Sequence, residues 1–385
     1  MNDNNIIQSN GCKQLLHRDS NIELYRIVTM ILIVAHHYVV NSGLTSLNGP
    51  LSACPTSFHS LLLLIIGAFG KTGINCFVFI TGYFMCKSNI KLKKFIKLLA
   101  EIMFYKIVIG FIFFATGYEP INIKSIIKTI LPVTSVGDNF TGCYLLFYLF
   151  IPFLNIAIHA LSEKQHLRLL ILCGFTYVFF GTVKILPVTM NYVSWFMVIY
   201  LLASYVRMYP KKIYTATKLW KMLTIVCVAL MLMSVIVCAF ISKIVKGHMW
   251  YAFVADSNTF LAVATGLTSF IYFKNLNIKY NRIINAIAAT TFGVLLIHAN
   301  SDAMRNWLWV DVFKVVEVYD KTLMPLIAVG SIILVFITCS LLDLIRIKFI
   351  EKPFLNWFSK REKCMEEKWT NIEHKLLCKM SVSDK

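Results

Sequence analysis

Apolar residues fall in long blocks along the chain, and short polar stretches rich in lysine separate one block from the next. A helix needs about 20 mostly apolar residues to cross a bilayer, and about ten blocks approach that length. They lie at residues 24–42, 60–86, 96–116, 139–160, 167–187, 191–209, 220–243, 252–273, 284–303 and 322–345. The pattern predicts an all-α, polytopic membrane protein with about ten transmembrane helices. The second block is too long for one span and is interrupted at "GAFGKTG". That break predicts two half-helices, or an interfacial piece followed by a span. No internal repeat or low-complexity stretch divides the chain. One membrane domain is therefore expected over 21–350, with an N-terminal tail at 1–20 and a helical C-terminal tail at 351–385, both cytoplasmic.

Composition narrows the class. Hydrophobic residues make up 58% of the chain and mean hydropathy is +0.68, outside the range of ordinary soluble domains. The net charge of +19 is not laid out for nucleic acid, because no basic run alternates with aromatic residues in a polar domain. Lysine and arginine instead sit between the apolar blocks, where they orient the spans. With the N-terminus inside, about 27 basic residues fall on the inner side and about 8 on the outer. An even number of spans returns the C-terminus to the same side. The leading stretch "MNDNNIIQSNGCKQLLHRDSN" has no cleavable signal pattern, so the first apolar block is expected to stay as a helix. The 11 cysteines are scattered, mostly within apolar blocks, and show no metal-ligand spacing. They suit small core residues, and neither a bound metal nor a tightly bound cofactor is expected.

One block carries unusual chemistry. "RIVTMILIVAHHYV" is an apolar helix by pattern, yet it holds Arg26, His36 and His37. Arg26 and His37 are eleven positions apart, about three turns plus 20°, so they share a face at an axial separation of about 16 Å. His36 lies about 80° from Arg26 and looks toward a different neighbour. Taken singly, the arginine could snorkel and the histidine could sit at an interface. Titratable groups sharing one face of a membrane helix mark a functional path.

These residues also carry a resemblance. An arginine, ten residues and a histidine in the first helix, preceded by "NIEL", resemble the acyltransferase-3 family of bacterial membrane acyltransferases. Further blocks are similar in the same order: "GKTGINCFVFITGYFM", "CYLLFYLFIPFLN", "SWFMVIYLLASYVR" and "IAATTFGVLLIHAN". Together they cover most of residues 20–350. The chain departs from the pattern at Thr81, where serine is common, at "NFTG" before the third block, where tryptophan is expected, and at Leu295, where tyrosine is frequent.

The resemblance implies a plasma-membrane, multi-pass O-acyltransferase of a bacterium. Its donor would be cytoplasmic acyl-CoA, chiefly acetyl-CoA, and its acceptor a hydroxyl of a cell-surface glycan or lipid-linked saccharide. His37 is then the candidate base and Arg26 the group that orients the donor. His36, Tyr83, Tyr148, Trp195 and His298 are candidates for substrate contact. The basic loop "KSNIKLKKFIK" offers Lys91, Lys93, Lys94 and Lys97 to the donor's phosphates, although inner-side anchoring is the plainer account of them and the two are compatible. Lys71, between two glycines, reads as an interfacial cation, and Asn155 as a residue at a helix end. The rival reading is a lipid-linked glycan flippase or exporter, which would need no donor site. Partners beyond lipid, acyl-CoA and glycan are not legible.

Overall fold

Small polar side chains open many of the helices. Ser57, Ser162, Asn191, Asn281 and Ser301 each accept a hydrogen bond from a backbone N–H of the first turn, supplying a partner the helix itself cannot. The computed structural model describes residues 19–88, 90–131, 140–183, 191–362 and 368. Among these residues every regular element is helical.

The main helices are α1 (Ser20–Val40), α2 (Phe58–Gly67), α3 (Gly70–Met85), α4 (Leu92–Ala115), α5 (Phe140–Ala160), α6 (Glu163–Cys173), α7 (Tyr192–Met208), α8 (Thr217–Val245), α9 (Phe260–Lys274), α10 (Arg282–Ala288), α11 (Thr291–His298), α12 (Met324–Arg346) and α13 (Lys352–Ser359). Among the described residues, seven helices or continuous helix pairs are long and apolar enough to cross a membrane. An eighth candidate is Arg282–His298 with Asp302–Val318, a pair bent by 96°. The chain is a multi-pass membrane protein.

Three of the ten apolar blocks differ from the straight spans the pattern predicts. The block at 191–209 holds only the 17-residue α7. The block at 252–273 forms a helix only from Phe260, because residues 246–259 fold as a turn-rich segment. That segment starts at Lys246 in the left-handed region (φ 50°) and buries Trp250 and Val254. An apolar loop packed into protein has the same composition as a helix exposed to lipid, so hydropathy does not separate them. The block at 284–303 ends at His298 and turns sharply, with Ser301 capping the next helix. The "GAFGKTG" interruption does divide α2 from α3, yet the two act as one candidate span, Phe58–Met85. At the other end, helical structure runs through a π-turn at Ile347–Glu351 into α13. The N-terminal tail and most of the C-terminal tail lie outside the described residues.

α1 is the central helix. It packs against α2, α3, α9, α10, α11 and α12. By contrast, the span Glu163–Val183, containing α6, buries almost none of its residues, as a lipid-facing helix should.

A charged cluster joins α4 to the last helices. Arg346 donates from Nε to Asp343 Oδ1 at 2.6 Å, from Nη1 to Glu351 Oε2 at 2.7 Å, and from Nη2 to Glu101 Oε1 at 2.9 Å. Lys97 donates to the other Glu351 oxygen at 2.5 Å, and the Tyr105 hydroxyl to Asp343 Oδ1 at 2.7 Å. All three carboxylates and the guanidinium are buried. Charges in such surroundings persist only when paired and hydrogen-bonded, and the fork of Arg346 meets one carboxylate with each of its nitrogens.

Candidate active site

His36 and His37 stand in the last turn of α1, half accessible. They meet different neighbours. His36 Nδ1 lies 2.6 Å from the carbonyl oxygen of Gly67, at the end of α2. A carbonyl only accepts, so this ring nitrogen donates. Gly70 opens α3 against the same imidazole, and a Cβ there would overlap the ring. Gly70→Ala is therefore expected to displace His36 and to cost about 1–3 kcal/mol through overpacking. A thermal melt of the purified variant checks this; an unchanged melting temperature would show that the α1–α3 contact is loose.

His37 makes the more informative contact. Its Nδ1 lies 2.9 Å from Nε2 of His298, the last residue of α11, and the ring centroids are 5.1 Å apart. His298 is fully buried, and its Nδ1 is 2.6 Å from the carbonyl of Val294 one turn earlier. The tautomers follow from the acceptors. Val294 can only accept, so His298 donates through Nδ1 and, when neutral, carries its lone pair on Nε2. That lone pair accepts from His37 Nδ1. Neutral His37 is left with its own lone pair on Nε2, free to act as a base. Lys71 and Arg305 both act on the His37 ring through space. Lys71 also donates to the Tyr192 hydroxyl at 2.8 Å, and Arg305 pairs with Asp302.

Arg26 sits near the opposite end of the unbroken α1. Its Nε is buried and has no hydrogen-bond partner among the described residues. Close to it, the Thr81 hydroxyl shares a 2.8 Å hydrogen bond with the Tyr144 hydroxyl, and the arginine acts electrostatically on that tyrosine. Thr81 thus supplies a hydroxyl where the resemblance expects serine.

Other residues singled out by sequence are placed elsewhere. Trp195 is fully buried and donates its indole N–H to Asn75 Oδ1 at 2.9 Å, while Asn75 donates to the Ser257 carbonyl at 2.7 Å. Tyr148 is buried and stacks on Phe95. Neither is brought to the histidines by any of these contacts. Asn155 lies inside α5 rather than at its end, and it closes a different helix: it donates to the carbonyls of Met85 and Ser88 and accepts from Tyr200 at 2.5 Å. Lys97 is committed to Glu351 and is not a free cation for phosphate. Lys91 is exposed; Lys93 and Lys94 are half buried at the start of α4. Tyr83 lies under Arg207 at the end of α3 that faces away from His37. Arg305 and the carbonyl of Val294 went unnoticed in the sequence. The first stands in the short helix capped by Ser301, and the second is backbone. Among the described residues, no group of three or more His, Cys, Asp or Glu side chains could hold a metal ion.

A family model described as "Acyltransferase domain" matches residues 19–344. No curated protein and no solved structure gives a significant match.

Proposed function

The chain belongs to the acyltransferase-3 family, and from that premise we propose that it moves an acyl group from cytoplasmic acyl-CoA to a hydroxyl of a cell-surface or lipid-linked glycan. The observation that carries the reading is the contact of His37 Nδ1 with His298 Nε2, backed by the Val294 carbonyl. It leaves His37 Nε2 as the acceptor for a hydroxyl proton. His298 is a positioning residue that fixes the tautomer and the ring.

The step balances simply. The acceptor oxygen attacks the thioester carbonyl as His37 takes its proton. The C–S bond then breaks, an ester forms, and the departing thiolate receives the proton from His37. Arg26 guides the donor arm, since α1 carries it about 16 Å from His37, comparable with an extended pantetheine chain. Acetyl is the expected cargo, and a bacterial plasma membrane the expected location.

The test uses purified protein in nanodiscs with acetyl-CoA and candidate glycans. Gain of one acyl substituent by the glycan, with release of free thiol, supports the reading. Movement of a lipid-linked glycan across liposomes without acyl-CoA consumption would replace it with the flippase.

This reading places both termini in the cytoplasm. The weight of inner lysine and arginine supports that orientation, and ten crossings are obtained when α7, α9 and the bent pair are counted with the seven long candidates. A reporter fused after Lys385 should then be active only in its cytoplasmic form. Labelling of the C-terminus from outside the cell would overturn the orientation.

A further inference from the structure

Three helices end together on the face away from His37: α3 at Met85, α7 at Met208 and α9 at Lys274. Two cations meet there on one tyrosine. The Arg207 guanidinium lies 4.6 Å over the Tyr83 ring and donates to the Tyr83 hydroxyl at 2.9 Å. Lys274, from the neighbouring helix, brings its ammonium to 6.0 Å from the same ring. The two charges are near enough to repel one another.

Neither cation has a carboxylate partner among the described residues. Several other cations do have one among the described residues. Lys97 has Glu351, Arg346 has three carboxylates, and Arg305 has Asp302. Even Lys211, four residues beyond Arg207, has Glu163 at 2.9 Å. In addition, Arg207 Nε is buried and unpartnered.

A plainer explanation is that cations collect at helix C-termini, where the peptide dipoles leave partial negative charge. The hydrogen bonds point elsewhere. Arg207 donates to the Tyr83 hydroxyl, and Lys274 donates to Asn275 Oδ1 at 2.7 Å. The end of α7 is closed by its own backbone, with Tyr209 N–H on the Tyr205 carbonyl. The dipoles make it less costly to hold two cations side by side, and they leave the outer donors of both unfilled. A ring face also satisfies a cation well only within about 6 Å, so Lys274 is at the limit of what Tyr83 offers.

We propose that Arg207 and Lys274, braced by Tyr83, bind a phosphoryl anion. The proposal rests on the acyl-CoA reading above and deepens it, because it places the donor's nucleotide phosphates here rather than on the lysines of "KLKKFIK". Packed rings link this cluster to α1. Tyr83 packs on Phe270, Phe270 on Tyr25, and Tyr25 is followed directly by Arg26 on α1. The anion site therefore lies beside the Arg26 end of α1, the helix that carries His37 at its other end. The same chemistry would also hold the headgroup of an anionic phospholipid, and the test separates the two sources.

The experiment compares wild type, Arg207→Gln and Lys274→Gln in nanodiscs of neutral lipid and of neutral plus anionic lipid. Donors are acetyl-CoA and acetyl-pantetheine, which lacks phosphate. Lys211→Gln serves as a control for general surface charge, and Arg207→Lys as a folded variant that keeps the charge. If the donor's phosphates bind here, KM for acetyl-CoA rises about tenfold in each Gln variant, the loss of one charge-assisted contact. KM for acetyl-pantetheine and kcat stay unchanged, and Arg207→Lys recovers part of the loss. If lipid is the source, the acetyl-CoA KM stays constant, and the Gln variants lose a thermal stabilisation that anionic lipid gives wild type and Lys211→Gln. Wild type that consumes acetyl-CoA while neither effect appears overturns the anion site and leaves the acyltransferase reading standing. Wild type that consumes no acyl-CoA removes that reading, and the lipid arm still decides the anion site.

Discussion

Replacing His37 with alanine is expected to lower acyl transfer by about 10²- to 10⁴-fold, the usual contribution of a positioned general base. The protein should still insert and fold, because the half-accessible ring hydrogen-bonds a side chain and not the backbone. His298→Ala should cost less than His37→Ala, since it removes the group that fixes the tautomer rather than the base. It should also alter the pH profile of kcat, because Nδ1 of His37 is then free to exchange its proton. His36→Ala should act on stability more than on rate, as this ring is tied to the Gly67 carbonyl and packed on Gly70. The measurement is single-turnover release of thiol from acetyl-CoA with acceptor present. Equal rate losses for His36→Ala and His37→Ala would sink the assignment of the base.

The second large effect concerns stability. Arg346→Met is expected to destabilise the protein by about 3–5 kcal/mol, the usual cost of removing one partner from a buried ionic group. Glu101, Asp343 and Glu351 would be left together with Lys97 as the nearby cation. Adding Glu101→Gln should recover part of the loss, because it removes one uncompensated charge from the same cluster. Denaturation of the purified variants, followed by helical signal, reads both effects. A single mutant as stable as the parent would show that water reaches the cluster freely. A double mutant no better than the single would show that Glu101 is not coupled to Arg346.

Much of the helical content was legible because spans obey a composition rule, and α1 with its eleven-residue spacing was legible because a single unbroken helix converts sequence distance into geometry. The partners of those residues were not. His298 meets His37 across 261 positions, and Lys97 meets Glu351 across 254. No local pattern carries such information. Trp195 stands differently: its motif drew attention, and the structure shows it as a fully buried donor to Asn75. Arg207 and Lys274 read as inner-side anchors, as most basic residues near helix ends do. Only their convergence on Tyr83 without a carboxylate distinguishes them. Residues 246–259 misled for a physical reason, since hydropathy measures removal from water and cannot tell protein from lipid as the destination.

The ionic cluster also sets an order of events during synthesis. Glu101 enters the membrane on α4, yet Arg346, its partner, is 245 residues further along the chain. At about 5–20 residues per second, that is a wait of roughly 10–50 s. Through that interval an acidic residue on a spanning helix has Lys97, one turn away, as its cation at hand. Lys97 in turn exchanges that neighbour for Glu351 only when the last helix arrives. A nascent chain that stops short of residue 346 therefore holds α4 without the Arg346 contacts. Closure of this ionic cluster is a late, C-terminal event.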